Sequence, residues 1–385
     1  MIDPEQFQIL KEEIAKVSAE DLERLNQLRQ EIQRLGKARQ IRDFTTTAIS
    51  LVASDGGNNR LQFDPFEIQI IRVMDSYGAQ ACFKVVSRYA DINSLTREQI
   101  DDRGEPISAL GELMVDLGIS KLSKLSPMLN PKKDDEGKEV LSKSWVLVYR
   151  DLWEWAVLYE KFKKSNFSTD TLIVIDGLLR SKIFTEDNFV RMIGRIQEYI
   201  AKIKREQRRN VYLVGVAKKS KVLDRYRLAM MLERMMCEPR PVYVAVPKEI
   251  EELAYDWPEY TRRPEDEAQG GEKAKFVGGR LYLVKFGPRP TDPVWPVDLL
   301  IGQEGEADKI IAYLKTDSEA GFPIPYYPRC VQKAHSYSAL VGIDVEILQH
   351  EIISCLVGQM PTKEDVIHFE EFVLSPKDPG GARYE

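Results

Sequence analysis

Short apolar runs separated by polar turns predict a group of strands in the first half of the chain. The run at 48–54 ends on Asp55 and two glycines, and the runs at 67–73 and 81–89 are rich in β-branched and aromatic residues. A Ser-Tyr-Gly turn at 76–78 separates the last two runs. Three successive strands with short links predict an antiparallel meander.

Helical spacing of apolar residues predicts helices before and after this meander. The segment 4–36 carries an apolar stripe, and a capping box beginning at Ser18 predicts a break in that helix. Further predicted helices cover 96–117, 144–164, 186–204, 223–236, 306–315 and 329–343. Further predicted strands cover 171–175, 210–217, 242–246, 280–286 and 297–301. The polar segments 127–142 and 258–275 predict exposed loops.

The order of these elements predicts a mixed α/β fold. Three strands followed by alternating helices and strands are the order of an RNase H-like mixed sheet flanked by helices. In such a sheet the first and fourth strands are neighbours, so Asp55 and Asp176, which follow those strands, are expected side by side. We divide the chain into an N-terminal helical segment, 1–44, and an α/β domain, 45–385.

Composition restricts the class of protein. Hydrophobic residues make up 43% of the 385 residues, which is enough for a substantial core. No apolar run is long enough to span a membrane, and the N-terminus lacks the basic and apolar regions of a secretory signal. The cysteines are far apart and form no CxxC pair: Cys82, Cys237, Cys330 and Cys355. These features predict a reduced, cytoplasmic protein.

Charge is distributed unevenly. The formal net charge is -6, which is not typical of a nucleic-acid-binding protein. The segment 202–227 nevertheless contains ten basic and only two acidic residues, and such a segment can form a phosphate-binding surface. The alternative is a solvated helix face. The basic residues are Lys202, Lys204, Arg205, Arg208, Arg209, Lys218, Lys219, Lys221, Arg225 and Arg227.

Carboxylates at strand ends are the first candidates for chemistry. The unit strand-Asp-Gly occurs twice, at Asp55 and at Asp176. Carboxylate oxygens favour Mg²⁺ or Mn²⁺, and two such ions about 4 Å apart can support phosphodiester hydrolysis. Each unit alone could be an ordinary turn, but the presence of both on expected neighbouring core strands favours a site.

Three further residues are candidates, each with a structural alternative. Glu154 lies between two tryptophans in an apolar helix, where it could bind a cation or pair with Arg150 one turn earlier. His335 could be a metal ligand or a helix-surface imidazole. Lys218, directly after the predicted strand 210–217, could bind a phosphate or remain solvated.

The chain resembles the NurA-type nucleases, the partners of HerA-type hexameric ATPases in DNA end processing. The resemblance rests on blocks in the same order as in that family: the strand ending Ala53-Ser54-Asp55-Gly56-Gly57, the helix motif Arg150-x-x-x-Glu154, the strand Ile173-Val174-Ile175-Asp176-Gly177, the segment Gly215-Val216-Ala217-Lys218-Lys219-Ser220, and the turn Pro325-Tyr326-Tyr327-Pro328 before Ala334-His335. These blocks span residues 49–345.

The resemblance implies a function. Asp55, Glu154, Asp176 and His335 would surround a divalent-metal site, typically manganese (or magnesium), with two ions and with Lys218 nearby. Family members are dimers with an RNase H-like fold that cut single-stranded DNA or resect duplex ends. Their expected roles are DNA repair or defence against foreign DNA. Departures from the family pattern, at Gly57 and Leu178, remove no ligand.

Two other classes of function are alternatives to a nuclease: a non-catalytic scaffold and a nucleotide-binding enzyme. A non-catalytic scaffold would dock on an ATPase or a DNA end and keep the carboxylates only for structure. It predicts no binding of Mn²⁺ and no hydrolysis. A nucleotide-binding enzyme is disfavoured because the sequence has neither GxxxxGK[ST] nor GxGxxG after a strand.

Overall fold

A computed structural model describes residues 3–43, 49–63, 66–133, 139–142, 144–255 and 275–370. Its strands within these ranges are β1 (Arg39–Gln40), β2 (Ser50–Phe63), β3 (Phe66–Asp75), β4 (Gln80–Ser87), β5 (Lys132–Lys133), β6 (Glu139–Val140), β7 (Thr171–Asp176), β8 (Val211–Val216), β9 (Val242–Ala245), β10 (Gly279–Lys285) and β11 (Val294–Leu300). Its helices are α1 (Pro4–Ile32), α2 (Ile92–Arg97), α3 (Ala109–Asp116), α4 (Leu122–Leu125), α5 (Trp145–Lys164), α6 (Asn188–Glu206), α7 (Lys221–Leu232), α8 (Lys248–Ala254), α9 (Ala307–Glu319), α10 (Arg329–Ser338), α11 (Gly342–Val357) and α12 (Lys363–Glu370).

The described strands, apart from the β5–β6 hairpin, form one mixed sheet in the order β1-β9-β10-β11-β8-β7-β2-β3-β4. Strands β2, β3 and β4 are the antiparallel meander predicted from the sequence. Strand β7 pairs in parallel with β2, and β8 pairs in parallel with β7. The mixed α/β fold and the adjacency of the first and fourth predicted strands are therefore confirmed.

Strand β2 is longer than the sequence pattern predicts. It does not end at 54 but continues through Asp55 to Phe63. The reason is its antiparallel partner: β3 stays paired with β2 through Gly56↔Val73 and Gly57↔Arg72, whereas pairing with β7 stops at Ser54↔Ile175. Asp55 therefore lies within a strand, at the point where that strand loses one of its two neighbours.

Helices cover both faces of the sheet. Helices α5 and α6 contribute to the core on one face, where 12 of the 20 residues of α5 are buried, including Trp145, Tyr149 and Leu152. Helices α9 and α10 contribute to the core on the other face. A third group of apolar residues joins the end of α1 to α7, with Ile32 and Leu35 fully buried.

The N-terminal helix is continuous, so the predicted break near Ser18 is wrong. Ser18 and Asp21 are both exposed within α1. At exposed positions these residue types lower helix stability only by a few tenths of a kcal/mol up to about 0.7 kcal/mol relative to alanine, so they interrupt nothing. A capping box also requires a non-helical residue at its start, and Ser18 is helical.

Two other helix predictions are wrong in extent. The segment 96–117 is not one helix: α2 ends at Arg97, and α3 begins only after a loop in which Gly104 has φ +84°. Asp91 and Ser108 accept backbone hydrogen bonds at the starts of these two helices, which fixes the boundaries. The segment 329–343 ends early, at Ser338, and is followed by α11 and α12, which were not predicted.

The structure describes most of the first predicted loop and only one residue of the second. The segment 127–142 contains a short 3-10 turn and the β5–β6 hairpin, and residues 134–138 lie outside the described residues. The segment 258–275 lies outside them except for its last residue. No helix among the described residues combines the length and hydropathy needed to cross a bilayer. The proposed boundary at residue 44 stays a prediction.

A buried ion-pair network lies directly after the strand that carries Asp176. The guanidinium of Arg180, 3% exposed, donates to both carboxylate oxygens of Asp298 at 2.8 and 3.0 Å and lies 3.5 Å from Glu251. Both acidic side chains are fully buried. The network ties the loop after β7 to β11 and α8, and so holds one side of the candidate site.

We predict that Arg180→Met destabilises the protein by about 3–5 kcal/mol, because it leaves two carboxylates buried without their cation. Urea unfolding measures this change. Arg195→Met is the matched control: Arg195 is 52% exposed and pairs with Glu198, so its loss should cost at most about 1 kcal/mol. Equal losses of unfolding free energy in the two variants would contradict the role of Arg180 as the cation that stabilises Asp298 and Glu251.

Candidate metal centre

Two carboxylates are brought together by the parallel pairing of β2 and β7. The last paired residues are Ser54 and Ile175, so Asp55 and Asp176 are the next residue on each strand. Side chains alternate between the two faces of a sheet, which places these two on the same face. Both side chains are mostly shielded, with exposed fractions of 11% and 15%.

Helix α10 adds an imidazole to this pair. His335 Nδ1 lies 2.9 Å from Asp55 Oδ2, and the hydroxyl of Ser338 donates to the same oxygen at 2.8 Å. One donor atom from each of Asp55, Asp176 and His335 lies within 4.8 Å of the other two. His335 therefore reaches the carboxylates, although it is 280 residues from Asp55 in the chain.

Asp176 is held by two other side chains. The ammonium of Lys218, which follows β8, lies 3.0 Å from Asp176 Oδ2. The hydroxyl of Tyr327 lies 2.8 Å from Asp176 Oδ1 and 2.9 Å from the carbonyl oxygen of Val216. Burial, followed by the charge of Asp176, raises the pKa of Tyr327, so its hydroxyl stays protonated and can donate. Lys218 also lies over the Tyr327 ring, 5.4 Å from its centroid.

Tyr327 and Ser338 are site residues that sequence reasoning missed. Tyr327 belongs to the Pro-Tyr-Tyr-Pro turn, 325–328, which is one of the family-like motifs. This motif is the sequence signal that could have identified Tyr327. Gln332 fixes the turn: its amide accepts from Ile324 N at 2.8 Å and donates to the carbonyls of Ile324 and Tyr327 at 3.0 and 2.9 Å. The turn is thereby a rigid support for the Asp176 carboxylate.

Glu154 approaches from the opposite face of β2. Its carboxylate pairs with Arg150 at 3.1 Å, which is the structural alternative considered for it, and it is not part of the three-residue group. Burial raises the pKa of Glu154 well above its ordinary value; Arg150 opposes this, and the charges of Asp151, Asp55 and Asp176 add to it. A cation bound beside Glu154 would favour its ionised form.

Gly56 and Gly57 allow both helices to approach the strand. A Cβ atom added to Gly56 would lie 2.0 Å from Glu154 Oε1, and one added to Gly57 would lie 2.2 Å from the backbone oxygen of Ser338. Successive residues of a strand face opposite sides. Gly56 therefore makes room for the acidic residue of α5, and Gly57 makes room for the end of α10.

The donor set suits a hard divalent cation. Two carboxylates and one imidazole match Mn²⁺ or Mg²⁺, and the absence of a cysteine from the group disfavours a thiolate zinc site. Three protein donors leave coordination positions for water or for oxygens of a phosphate. The residues thus fit the metal that the sequence motifs imply, and Lys218 is placed to neutralise an anion beside it.

The fold and the site define a mixed α/β protein with a candidate divalent-metal centre. The chain aligns over 94% of its length with 99% of the NurA nuclease from Sulfolobus solfataricus, at 13% identity and a TM-score of 0.42. It aligns similarly with NurA bound to dAMP and manganese, at 10% identity, coverage of 93% and 99%, and a TM-score of 0.41. These are structures of the family that the ordered sequence blocks resemble. No protein-family model and no curated protein matches the sequence.

We predict that the two glycines differ in their tolerance of alanine. Gly57→Ala should destabilise the protein by about 2–3 kcal/mol, because the added methyl group meets the backbone of Ser338. Gly56→Ala should cost less than about 1.5 kcal/mol, because the flexible Glu154 side chain can rotate away. Chemical denaturation of both variants measures the difference.

A third glycine provides the control. Gly194 lies within α6, and a Cβ atom added to it would meet no other atom within 4 Å. Gly194→Ala should therefore stabilise the protein by up to about 1 kcal/mol. If Gly56→Ala and Gly57→Ala lowered the free energy of unfolding equally little, the close approach of α10 to β2 at Gly57 would be contradicted.

Proposed function

We propose that this protein is a divalent-metal-dependent deoxyribonuclease that hydrolyses phosphodiester bonds. One observation carries the proposal: Asp55 and Asp176, on adjacent parallel strands, and His335, on α10, present donor atoms within 4.8 Å of one another. If Asp55 and Asp176 belonged only to ordinary Asp-Gly turns, neither would need a histidine beside it. His335 nevertheless contacts Asp55, from a helix 280 residues away in the chain. The convergence of the three is what a cation site requires.

Each residue has a role in the proposed reaction. Asp55, Asp176 and His335 hold the cation, and Glu154 completes the site from the α5 side, next to Gly56. A divalent cation held there supplies Lewis acidity, which activates a water molecule and stabilises charge on the phosphate. Lys218 is placed to contact a phosphate oxygen. Tyr327 and Ser338 orient the carboxylates of Asp176 and Asp55 through the hydrogen bonds already described.

The finer parts of the proposal are supported by the ordered sequence blocks. On this basis we propose manganese or magnesium as the metal, with two ions that Asp55, Glu154, Asp176 and His335 would hold. The partners would be DNA ends or single strands and a HerA-type hexameric ATPase, with the nuclease acting as a homodimer in the cytoplasm. The biological role would be DNA end resection, in repair or in antiviral defence.

A non-catalytic scaffold is the alternative function. It would dock on DNA or on an ATPase without hydrolysis. The ion pair between Glu154 and Arg150 is the observation that favours it, because an acidic residue already paired needs no metal. The Asp55–His335 contact and the hydrogen bond from the Tyr327 hydroxyl to Asp176 favour the nuclease, because they orient polar groups around two adjacent carboxylates.

We predict that Asp55→Asn and Asp176→Asn each lower Mn²⁺-dependent DNA hydrolysis by at least about a thousandfold, since an amide is a weak ligand for a hard cation. End-labelled DNA digestion measures the rates, and calorimetry measures Mn²⁺ affinity. Both variants should stay folded, because each change retains the shape of the side chain.

Asp224 is exposed on α7, so Asp224→Asn is a matched control. It should leave the rate of DNA hydrolysis and the affinity for Mn²⁺ unchanged. A wild-type protein that binds no Mn²⁺ and cuts no DNA, with or without an ATPase partner, would support the scaffold. Unchanged hydrolysis in both site variants would exclude this metal site.

A further inference from the structure

The basic segment 202–227 does not form one surface, because β8 divides it. Lys202, Lys204 and Arg205 lie near the end of α6, before β8, whereas Lys218 lies after β8 beside Asp176. Six strand residues separate the two groups by about 20 Å. The cations before β8 are therefore remote from the metal centre and need an explanation of their own.

Helix α6 carries a basic stripe along its whole solvent face. Five of its exposed residues follow 4-3-4-3 spacing, which is one face of a helix, and the opposite face is buried against the core. The five are Arg191, Arg195, Glu198, Lys202 and Arg205. Between 191 and 209 there are seven basic and two acidic residues, in a chain whose net charge is -6. Helix α6 and the three residues after it therefore carry a local excess of positive charge.

Much of this charge is free to meet an external anion. Arg191 and Arg195 have partners within the protein. Among the described residues, no carboxylate lies within 4.0 Å of Lys202, Arg205 or Arg209. Arg209 is still near enough to Asp170 to act on it: the pKa of Asp170 is lowered despite its burial, by hydrogen bonds from Asn210 and by the charges of Lys309 and Arg209. Cations near a helix C-terminus offset its dipole, which accounts for Arg205 but not for Arg209, beyond the helix end.

The backbone gives a second indication. Arg208 directly follows the C-cap residue of α6 and has φ +57°, in the left-handed region where glycine is favoured. An exposed arginine at this position adds charge at a cost in stability, as Arg234 does after α7 with φ +53°. At Arg208 the added charge lies at the end of the α6 stripe, where it can contribute to binding.

We propose that the solvent face of α6 binds the DNA backbone and guides it away from the metal centre. Because α6 connects the parallel strands β7 and β8, it starts at the edge of the sheet that carries Asp176 and ends at the opposite edge. Its 19 residues span about 28 Å, the length of roughly eight base pairs. The inference rests on the proposed nuclease function and gives that function a second contact with its substrate.

The test reverses charge on the stripe with Lys202→Glu, Arg205→Glu and Arg209→Glu combined. The matched control makes the same change in charge on α1, at the exposed residues Lys11, Lys16 and Arg24. Fluorescence anisotropy with a duplex of about 30 base pairs, in EDTA, measures binding without hydrolysis. The α6 variant should lose at least about tenfold in affinity, and the slope of log affinity against log salt should fall by about 2–3.

Hydrolysis separates this proposal from the proposed function. With Mn²⁺ present, the α6 variant should cut bis(p-nitrophenyl) phosphate, which is too small to reach the stripe, at the wild-type rate, and long DNA more slowly. No hydrolysis of either substrate by the wild type would overturn the nuclease but leave the binding result intact. Equal DNA affinity in wild type, α6 variant and α1 control would overturn the role of α6.

A single substitution tests the backbone argument. Arg208→Gly should raise the melting temperature by about 1–3 °C, because glycine suits the left-handed conformation. The same variant should bind DNA more weakly, with a smaller salt slope. A gain in stability with unchanged DNA affinity would show that Arg208 takes no part in binding.

Discussion

The register of β2 against β7 is the constraint on which the site depends. Pairing that ends at Ser54↔Ile175 places two carboxylates side by side on one face, and like charges at that distance repel. The surrounding residues offset this repulsion with cations and hydrogen-bond donors: Lys218 and Tyr327 at Asp176, and His335 and Ser338 at Asp55. A divalent cation would satisfy both carboxylates at once.

The same strand also determines how the helices reach the site. Past Asp55, β3 is the only strand that pairs with β2 among the described residues, so the gap left by the end of β7 can be approached from both faces. Gly56 and Gly57 then let Glu154 approach from one side and α10 from the other. The centre is therefore assembled from two strands and two helices that are far apart in the chain, and α6 extends from its edge as a basic surface.

The meander, the adjacency of the first and fourth predicted strands and the Asp55–Asp176 pair could be predicted, because they follow from apolar strands, short links and the usual neighbours in such a sheet. The partner of Glu154 was also local, one helical turn away at Arg150. His335 was a candidate ligand by residue type, but only the resemblance placed it beside the carboxylates, because no local pattern brings α10 to β2. The roles of Tyr327, Ser338 and Gly57 depend on tertiary contacts, so residue spacing could not reveal them. The predicted strand 210–217 already divided the basic segment, but only the direction of β8 shows that the cations before it are remote from the candidate site.

The most direct test of the account is the position of bound metal. Crystals of the wild-type protein soaked in Mn²⁺ and measured with anomalous scattering should show manganese bound by Asp55 and Asp176, with His335 as a further ligand. Asp176→Asn crystals treated in the same way should show a weaker peak or none. Absence of manganese from the wild-type site, or a strong peak elsewhere with none between the two carboxylates, would contradict the central claim.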